Sequence, residues 1–185
     1  SALKKIGEAI YREHPIVIFG AGGLGLMSLT LIKALGGKGG IIVDIDPAKR
    51  QAALEAGALA AIDGAAPDAA QQILKAAGGK PLQAAIDLVG APATTSLAFV
   101  FLTKGGKLII VGLFGGASSW PIALIPMKAL SIIGSYVGNL AELRELMTLV
   151  RTGKVPPMPV HRHPLKDADT VLASLRAGKV VGRAV

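Results

Sequence analysis

Residues 16–44 read IVIFGAGGLGLMSLTLIKALGGKGGIIVD, and their order decides the fold. An apolar run, Ile16 to Phe19, has the length of a buried strand. Gly20, Gly22 and Gly25 follow it in the spacing G-x-G-x-x-G, and a second apolar segment, Leu24 to Leu35, is long enough for three helical turns. A short run from Ile41 to Val43 ends on an acid, Asp44. Strand, tight turn, helix, strand and acid is the order required of a dinucleotide-binding unit.

Each glycine has a mechanical reason. Gly20 lets the chain turn off the strand, Gly22 leaves the backbone open to a pyrophosphate, and Gly25 lets the helix pack close to the strand. The helix begins with unpaired N–H groups and a partial positive charge, which suit a diphosphate. Asp44 lies 19 residues after Gly25, close to the spacing of an acid that accepts hydrogen bonds from the adenosine ribose and repels a 2′-phosphate.

At 185 residues, 51% hydrophobic, the chain suits one domain, or one domain plus a small piece of another. The apolar runs are broken by Gly, Pro or charge and fall short of the roughly 20 residues of a membrane span. The Lys-rich start lacks the apolar core of a signal peptide. The chain has no cysteine, hence no disulfide and no thiolate metal site, as expected of a cytoplasmic protein. The net charge of +8 comes from scattered residues with few aromatics between them, so a solvated basic surface is expected rather than nucleic-acid binding.

Outward from residues 16–44 the pattern repeats. Leu3, Ile6 and Ile10 give a helical period over Ser1–Tyr11, ended by Glu13-His14-Pro15, with His14 a surface turn residue. Asp46-Pro47 starts a helix that Gly57 stops. Ala60–Asp63, Ala84–Val89, Lys107–Val111 and Ala129–Val137 read as strands. Pro67–Ala77, Pro92–Leu102 and Leu140–Arg151 read as helices. Such alternation predicts an α/β fold, a doubly wound parallel sheet covered on both faces. Beyond Gly153 the pattern changes. Val155-Pro-Pro-Met-Pro159 cannot be a central strand, Asp167–Leu175 is a short helix, and Val180–Val185 is a strand. The expected division is a nucleotide-binding domain over 1–152 and a segment of a different domain over 153–185.

Six stretches, in order, give the chain a family likeness: GAGGLG at 20–25, VDIDPAKR at 43–50, AIDLVG at 85–90, KGGKLIIVGL at 104–113, IIGSYVG at 132–138 and AGKVVGRAV at 177–185. Together they resemble the cofactor-binding half of the zinc-type medium-chain alcohol dehydrogenases. The resemblance implies a six-stranded Rossmann sheet in the order 3-2-1-4-5-6, followed by a C-terminal remnant of the catalytic domain. It implies NAD as cofactor and a small alcohol, aldehyde or ketone as substrate of the full-length enzyme. Gly20, Gly22, Gly23, Leu24 and Gly25 would form the turn that holds the pyrophosphate. Asp44 would hold the adenosine ribose, with Lys49 near it. Leu88 and Val89 would border the adenosine side and the crevice. Gly112, Leu113, Ser135 and Val137 would line the nicotinamide end, and Arg183 would reach a phosphate. No catalytic residue and no metal ligand is assigned. The family's zinc is carried by an N-terminal domain and is expected there, so this chain alone is expected to be inactive. In the family, dimers form through the edge at residues 129–137.

His161 and His163 alternate on a possible strand, but two imidazoles without a third ligand make a poor metal site. Four other readings weigh against this one. A short-chain dehydrogenase needs Tyr-x-x-x-Lys, which fails because Tyr11 and Tyr136 are followed four on by Pro15 and Leu140. A methyltransferase-like domain binding S-adenosylmethionine shares the glycine turn and the acid, but not the third glycine or the region around Gly134-Ser-Tyr-Val137. Zinc-free quinone or enoyl reductases of the same superfamily mostly use NADPH, which Asp44 disfavours. A module that senses NAD without catalysis is the fourth.

Overall fold

The computed structural model describes residues 1–156, 160–180 and 182–185. Two short helices, α1 (Ala2–Ile6) and α2 (Glu8–Glu13), lead into strand β1 (Ile16–Phe19). Helix α3 (Gly23–Ala34), β2 (Gly40–Val43), α4 (Pro47–Glu55), β3 (Ala60–Ile62), α5 (Ala69–Ala76) and β4 (Ala84–Asp87) follow. Then come α6 (Pro92–Phe101), β5 (Lys107–Ile110), α7 (Leu124–Lys128), β6 (Ser131–Gly134) and α8 (Leu140–Arg151). The six strands pair in parallel in the order β3-β2-β1-β4-β5-β6. That is the order the family resemblance implies.

The strands read as unbroken apolar runs because helices cover both faces. Alternation along β1 divides the core. Val17 and Phe19 join Ile73 of α5 and Ala98, Phe99 and Phe101 of α6, with the Phe19 and Phe101 rings stacked 6.1 Å apart. Ile16 and Ile18 join Ile6, Tyr11, and Leu26, Leu29 and Ile32 of α3 on the other face. The chain leaves β1 toward β2 and later returns to β4 on β1's other side. A crevice therefore opens at the carboxyl ends of β1 and β4, where ligands bind in this architecture.

Part of the basic surplus closes helices. Lys107 Nζ donates to the carbonyls of Lys5 (3.2 Å) and Ile6 (2.8 Å) at the end of α1. Lys128 Nζ does the same for Val100 (3.3 Å) and Leu102 (3.1 Å) at the end of α6. Cations at helix C-termini satisfy carbonyls that have no partner within the helix.

The tail forms a separate two-stranded sheet, β7 (Val160–His161) and β8 (Arg183–Ala184), with a 3-10 turn (Leu165–Asp167) and helix α9 (Ala168–Arg176) between. Of the Pro-rich stretch, Pro157, Met158 and Pro159 lie outside the described residues.

Three expectations are corrected in their bounds. The single N-terminal helix is two, because the backbone leaves the helical region at Gly7 (φ 97°). The last strand of the large sheet covers 131–134 instead of 129–137, because Ala129 (φ 48°) ends α7 in a left-handed conformation and Val137 (φ 45°) lies beyond the ladder. Helix α7 itself was not expected. Its sequence, with Pro126 inside it, carries no apolar period long enough to read.

Candidate functional site

The turn after β1 is built by close approach. A Cβ placed on Gly25 would lie 2.0 Å from the Gly20 carbonyl oxygen, a backbone atom that cannot yield, so only glycine fits. Gly22, the residue before α3, has nothing within 4 Å of where its Cβ would be, and no side chain caps the helix. Uncapped N–H groups at the start of a 12-residue helix thus face open space, with no acidic side chain in the first turn.

Asp44 closes this turn from the side. Its Oδ2 accepts from the Ala21 N–H at 2.7 Å and its Oδ1 from the Asp46 N–H at 2.9 Å. A carboxylate has about four acceptor positions, so two remain for a ligand. The basic neighbours are already engaged. Arg50 Nη1 donates to the Asp44 carbonyl (2.9 Å) and lies 3.5 Å from Asp63 Oδ2. Lys49 Nζ lies 3.9 Å from Asp46 Oδ2 and close to Gly178 of the tail.

The tail reaches the turn from above. A Cβ on Gly23 would lie 2.9 Å from Arg183 Nε, so the guanidinium rests on the first residue of α3. A contact 160 residues distant in sequence brings a fixed positive charge to the helix N-terminus.

On the far side of the crevice, β4 and β5 end with their backbones pressed together. A Cβ on Gly112 would meet the Val89 carbonyl carbon at 2.1 Å. The turn after β4 is organised by Asp87, which is fully buried. Its Oδ1 accepts from the Val89 (2.9 Å) and Gly90 (2.8 Å) N–H groups, and its Oδ2 from Thr94 Oγ1 (2.7 Å). Sequence reasoning took Asp87 as part of a strand. The signal that would have found it is an acid at a strand's carboxyl end, with Gly90 and Thr94 just beyond.

Two cavities flank the glycine turn. Val89 lines the first, about 260 Å³, together with Gly20 and Asp44. Leu88, one residue earlier, points to the other, about 470 Å³, shared with Leu24, Leu113, Ser135 and Val137. The structure therefore brings together Gly20, Gly22, Gly23, Leu24, Gly25, Asp44 and Arg183. It sets Val89 on one side and Leu88, Leu113, Ser135 and Val137 on the other. Lys49 stands beside the first group with its charge partly satisfied, and Gly112 is a packing residue between the two walls.

Val137 is the strained member, since a β-branched residue is rarely found at positive φ. Among the described residues no three or more His, Cys, Asp or Glu cluster to hold a metal ion, and no helix is long and apolar enough to cross a membrane.

Comparison with known proteins bears on this geometry. The profile of a family described as zinc-binding dehydrogenase matches residues 23–152. An NAD-dependent alcohol dehydrogenase of Sulfurisphaera tokodaii is 36% identical over 170 residues, 92% of this chain and 49% of that protein. The alcohol dehydrogenase of Aeropyrum pernix superposes with a TM-score of 0.88 at 35% identity, over 99% of this chain and 52% of that one. Acetophenone reductase from Geotrichum candidum, solved in complex with NAD, gives 0.85 at 26% identity, over 99% and 50%. The chain thus spans about half the length of the curated relatives it matches.

Proposed function

The chain belongs to the zinc-binding dehydrogenase family, and from that premise we propose that it is the NAD-binding half of a zinc-dependent alcohol dehydrogenase. The observation that carries the reading is the uncapped start of α3, open at Gly22 and flanked by the Asp44 carboxylate and the Arg183 guanidinium. That is one acceptor for hydroxyls and two donors for phosphate, spaced along a single crevice.

In this reading the backbone from Gly20 through Gly25, with Leu24 on its outer side, receives the pyrophosphate, and Arg183 neutralises part of its charge. Asp44 accepts from the adenosine ribose, and Lys49 borders it. Val89 packs on the adenosine side. Leu88, Leu113, Ser135 and Val137 enclose the nicotinamide end in apolar surface, with Gly112 holding the wall that carries them. NAD, when bound, supplies the hydride acceptor at the nicotinamide C4. The chain's own residues orient the two ends of the cofactor and keep water from its apolar face.

The zinc implied by the family finds no ligand set among the described residues. We place its ligands in a part of the protein outside this chain, together with the pocket for a small alcohol, aldehyde or ketone. Residues 1–152 then form the NAD domain, and residues 153–185 belong with the catalytic domain. The whole is assigned to the cytoplasm, without nucleic-acid or membrane partners, as a homo-oligomer joined through the edge at 129–137. By itself the chain is expected to bind NAD and not to oxidise alcohols.

Calorimetric titration of the chain with NAD and with S-adenosylmethionine tests the reading. Saturable one-to-one binding of NAD alone supports it. Binding of S-adenosylmethionine, or of neither, overturns it.

A further inference from the structure

Arg183 rests on Gly23, yet the segment that carries it has little of its own to hold it there. No residue of α9 is buried. Among the described residues, every backbone hydrogen bond of 160–185 stays inside that segment, and no ion pair joins it to the rest of the chain. Two close approaches bring it onto the large domain. At one, the Arg183 guanidinium and the Gly182 carbonyl lie over Gly23, where a Cβ would meet Arg183 Nε at 2.9 Å and the carbonyl oxygen at 3.2 Å. At the other, Lys49 Nζ lies 3.7 Å from where a Cβ on Gly178 would stand.

Gly178 is the left-handed residue (φ 72°) just past the end of α9. Its N–H donates to the Leu175 carbonyl, and the Lys179 N–H to the Ser174 carbonyl, both at 3.0 Å. That closing turn leaves the last carbonyls of the helix to outside partners, at an end that carries partial negative charge. The Lys49 ammonium stands beside this end.

Nothing in its own helix accounts for Lys49. It lies in the first turn of α4, where the helix dipole disfavours a cation. Its nearest carboxylate oxygen, Asp46 Oδ2, is 3.9 Å away, and its side chain is only 21% exposed. The charge that is misplaced for α4 is well placed for the C-terminus of α9. We propose that Lys49 is a positioning residue: it fixes the C-terminus of α9 and thereby sets Arg183, five residues beyond Gly178, over the N-terminus of α3. The pyrophosphate then receives its guanidinium only while the tail is docked. The effect on phosphate rests on the NAD-binding reading; the grip of Lys49 on the tail does not.

The experiment compares the unmodified chain with Lys49→Met, Lys49→Arg, Arg183→Gln and the double variant Lys49→Met/Arg183→Gln. Hydrogen exchange is read first, without cofactor. A two-stranded sheet is at best marginally stable by itself, so loss of docking should show in the β7–β8 amides of His163 and Val185, which donate to the Val185 and His161 carbonyls. Lys49→Met should speed their exchange about threefold or more, while the amides of β1 to β6 keep the protection of the parent. Lys49→Arg, which keeps the cation, should behave as the parent. Calorimetric titration with NAD follows. Arg183→Gln should weaken binding about tenfold and Lys49→Met about threefold. The double variant should be no weaker than Arg183→Gln, because Lys49 acts through Arg183.

Unchanged exchange of the tail in Lys49→Met would overturn the inference, and so would a Lys49→Arg protein that behaves like Lys49→Met. Unchanged NAD affinity in Lys49→Met, or losses that add in the double variant, would do the same, since a lysine that touches the ribose directly acts independently of Arg183. Failure of the unmodified chain to bind NAD would overturn the parent reading, and the exchange result would still decide whether Lys49 holds the tail.

Discussion

Asp44 has two duties at once. It ties the glycine turn to the end of β2 through the Ala21 N–H, and in the proposed reading it offers its remaining acceptor positions to the ribose. Hydrogen bonds to a charged group contribute about 1.5–3 kcal/mol each. NADP would set a phosphate beside that carboxylate, and the nearest guanidinium, Arg50, is held by the Asp44 carbonyl and Asp63. The chain should therefore prefer NAD over NADP by at least about tenfold, or 1.4 kcal/mol. Asp44→Ser should lose NAD affinity and most of the selectivity, since hydrogen bonds and repulsion leave together. It should also melt earlier, because Ala21 and Asp46 lose their acceptor. Titrating both cofactors into both proteins decides the matter, and equal affinities in the parent would remove Asp44 from the ribose. Asp44 and the glycines were legible in the sequence because what marks them is local: a turn, a spacing, a strand end. Asp87 and the contact of Lys49 with the tail were not, because the first is defined by burial and the second by the approach of a distant segment.

At the scale of elements, the end of β4 carries the crevice wall. Asp87 anchors it by three hydrogen bonds while fully buried. Asp87→Ala would leave the Val89 and Gly90 N–H groups without their acceptor and empty the space of the carboxylate. The expected loss is about 3 kcal/mol or more of unfolding free energy, measured by urea denaturation, with weakened NAD binding because Val89 hangs on the same turn. A parent-like midpoint would show that the network is dispensable.

Helix α8 supplies a pH-dependent case. Asn139 and Glu142 cap it reciprocally, with Glu142 N–H donating to Asn139 Oδ1 at 2.9 Å and Asn139 N–H to Glu142 Oε2 at 3.0 Å. The Asn139 N–H holds the Glu142 carboxyl below the ordinary glutamate value of 4.5. A carboxyl depressed in the folded state stabilises it above the ordinary value, and that stabilisation is lost as pH falls through the folded one. Carbon-detected NMR should place the Glu142 midpoint below 4.5. The first turn of α8 should loosen through the same range, and a midpoint at or above the ordinary value would contradict the cap. Strand and helix alternation was readable here because Gly and Pro punctuate it. The break at Gly7, the short β6 and the helix α7 were not, since each is set by what the segment packs against.

For the molecule as a whole, the order of the sheet leaves β6 at an open edge. Ser131 N–H donates to the Gly106 carbonyl and Ser135 N–H to the Ile110 carbonyl, so the intervening donors of Ile132 and Gly134 face outward. The Gly134 carbonyl is taken by Lys5 Nζ at 2.8 Å, a basic side chain laid on the edge. Among the described residues the outward donor of Ile132 has no such cover. A strand edge of this kind pairs with a second copy about a twofold axis, extending one sheet into the next. The chain should therefore sediment as a dimer at micromolar concentration. Ile132→Pro removes the outward donor, and proline is tolerated in edge strands where no ladder bond is lost. That variant should sediment as a monomer, and its NAD affinity should change little, because position 132 lies at the start of β6, away from the Ser135 and Val137 end that borders the crevice. A parent that is monomeric at these concentrations would refute the edge as the contact. A dimeric Ile132→Pro protein would move the contact to the exposed face of α8, where Leu140, Leu143, Met147 and Val150 stand uncovered.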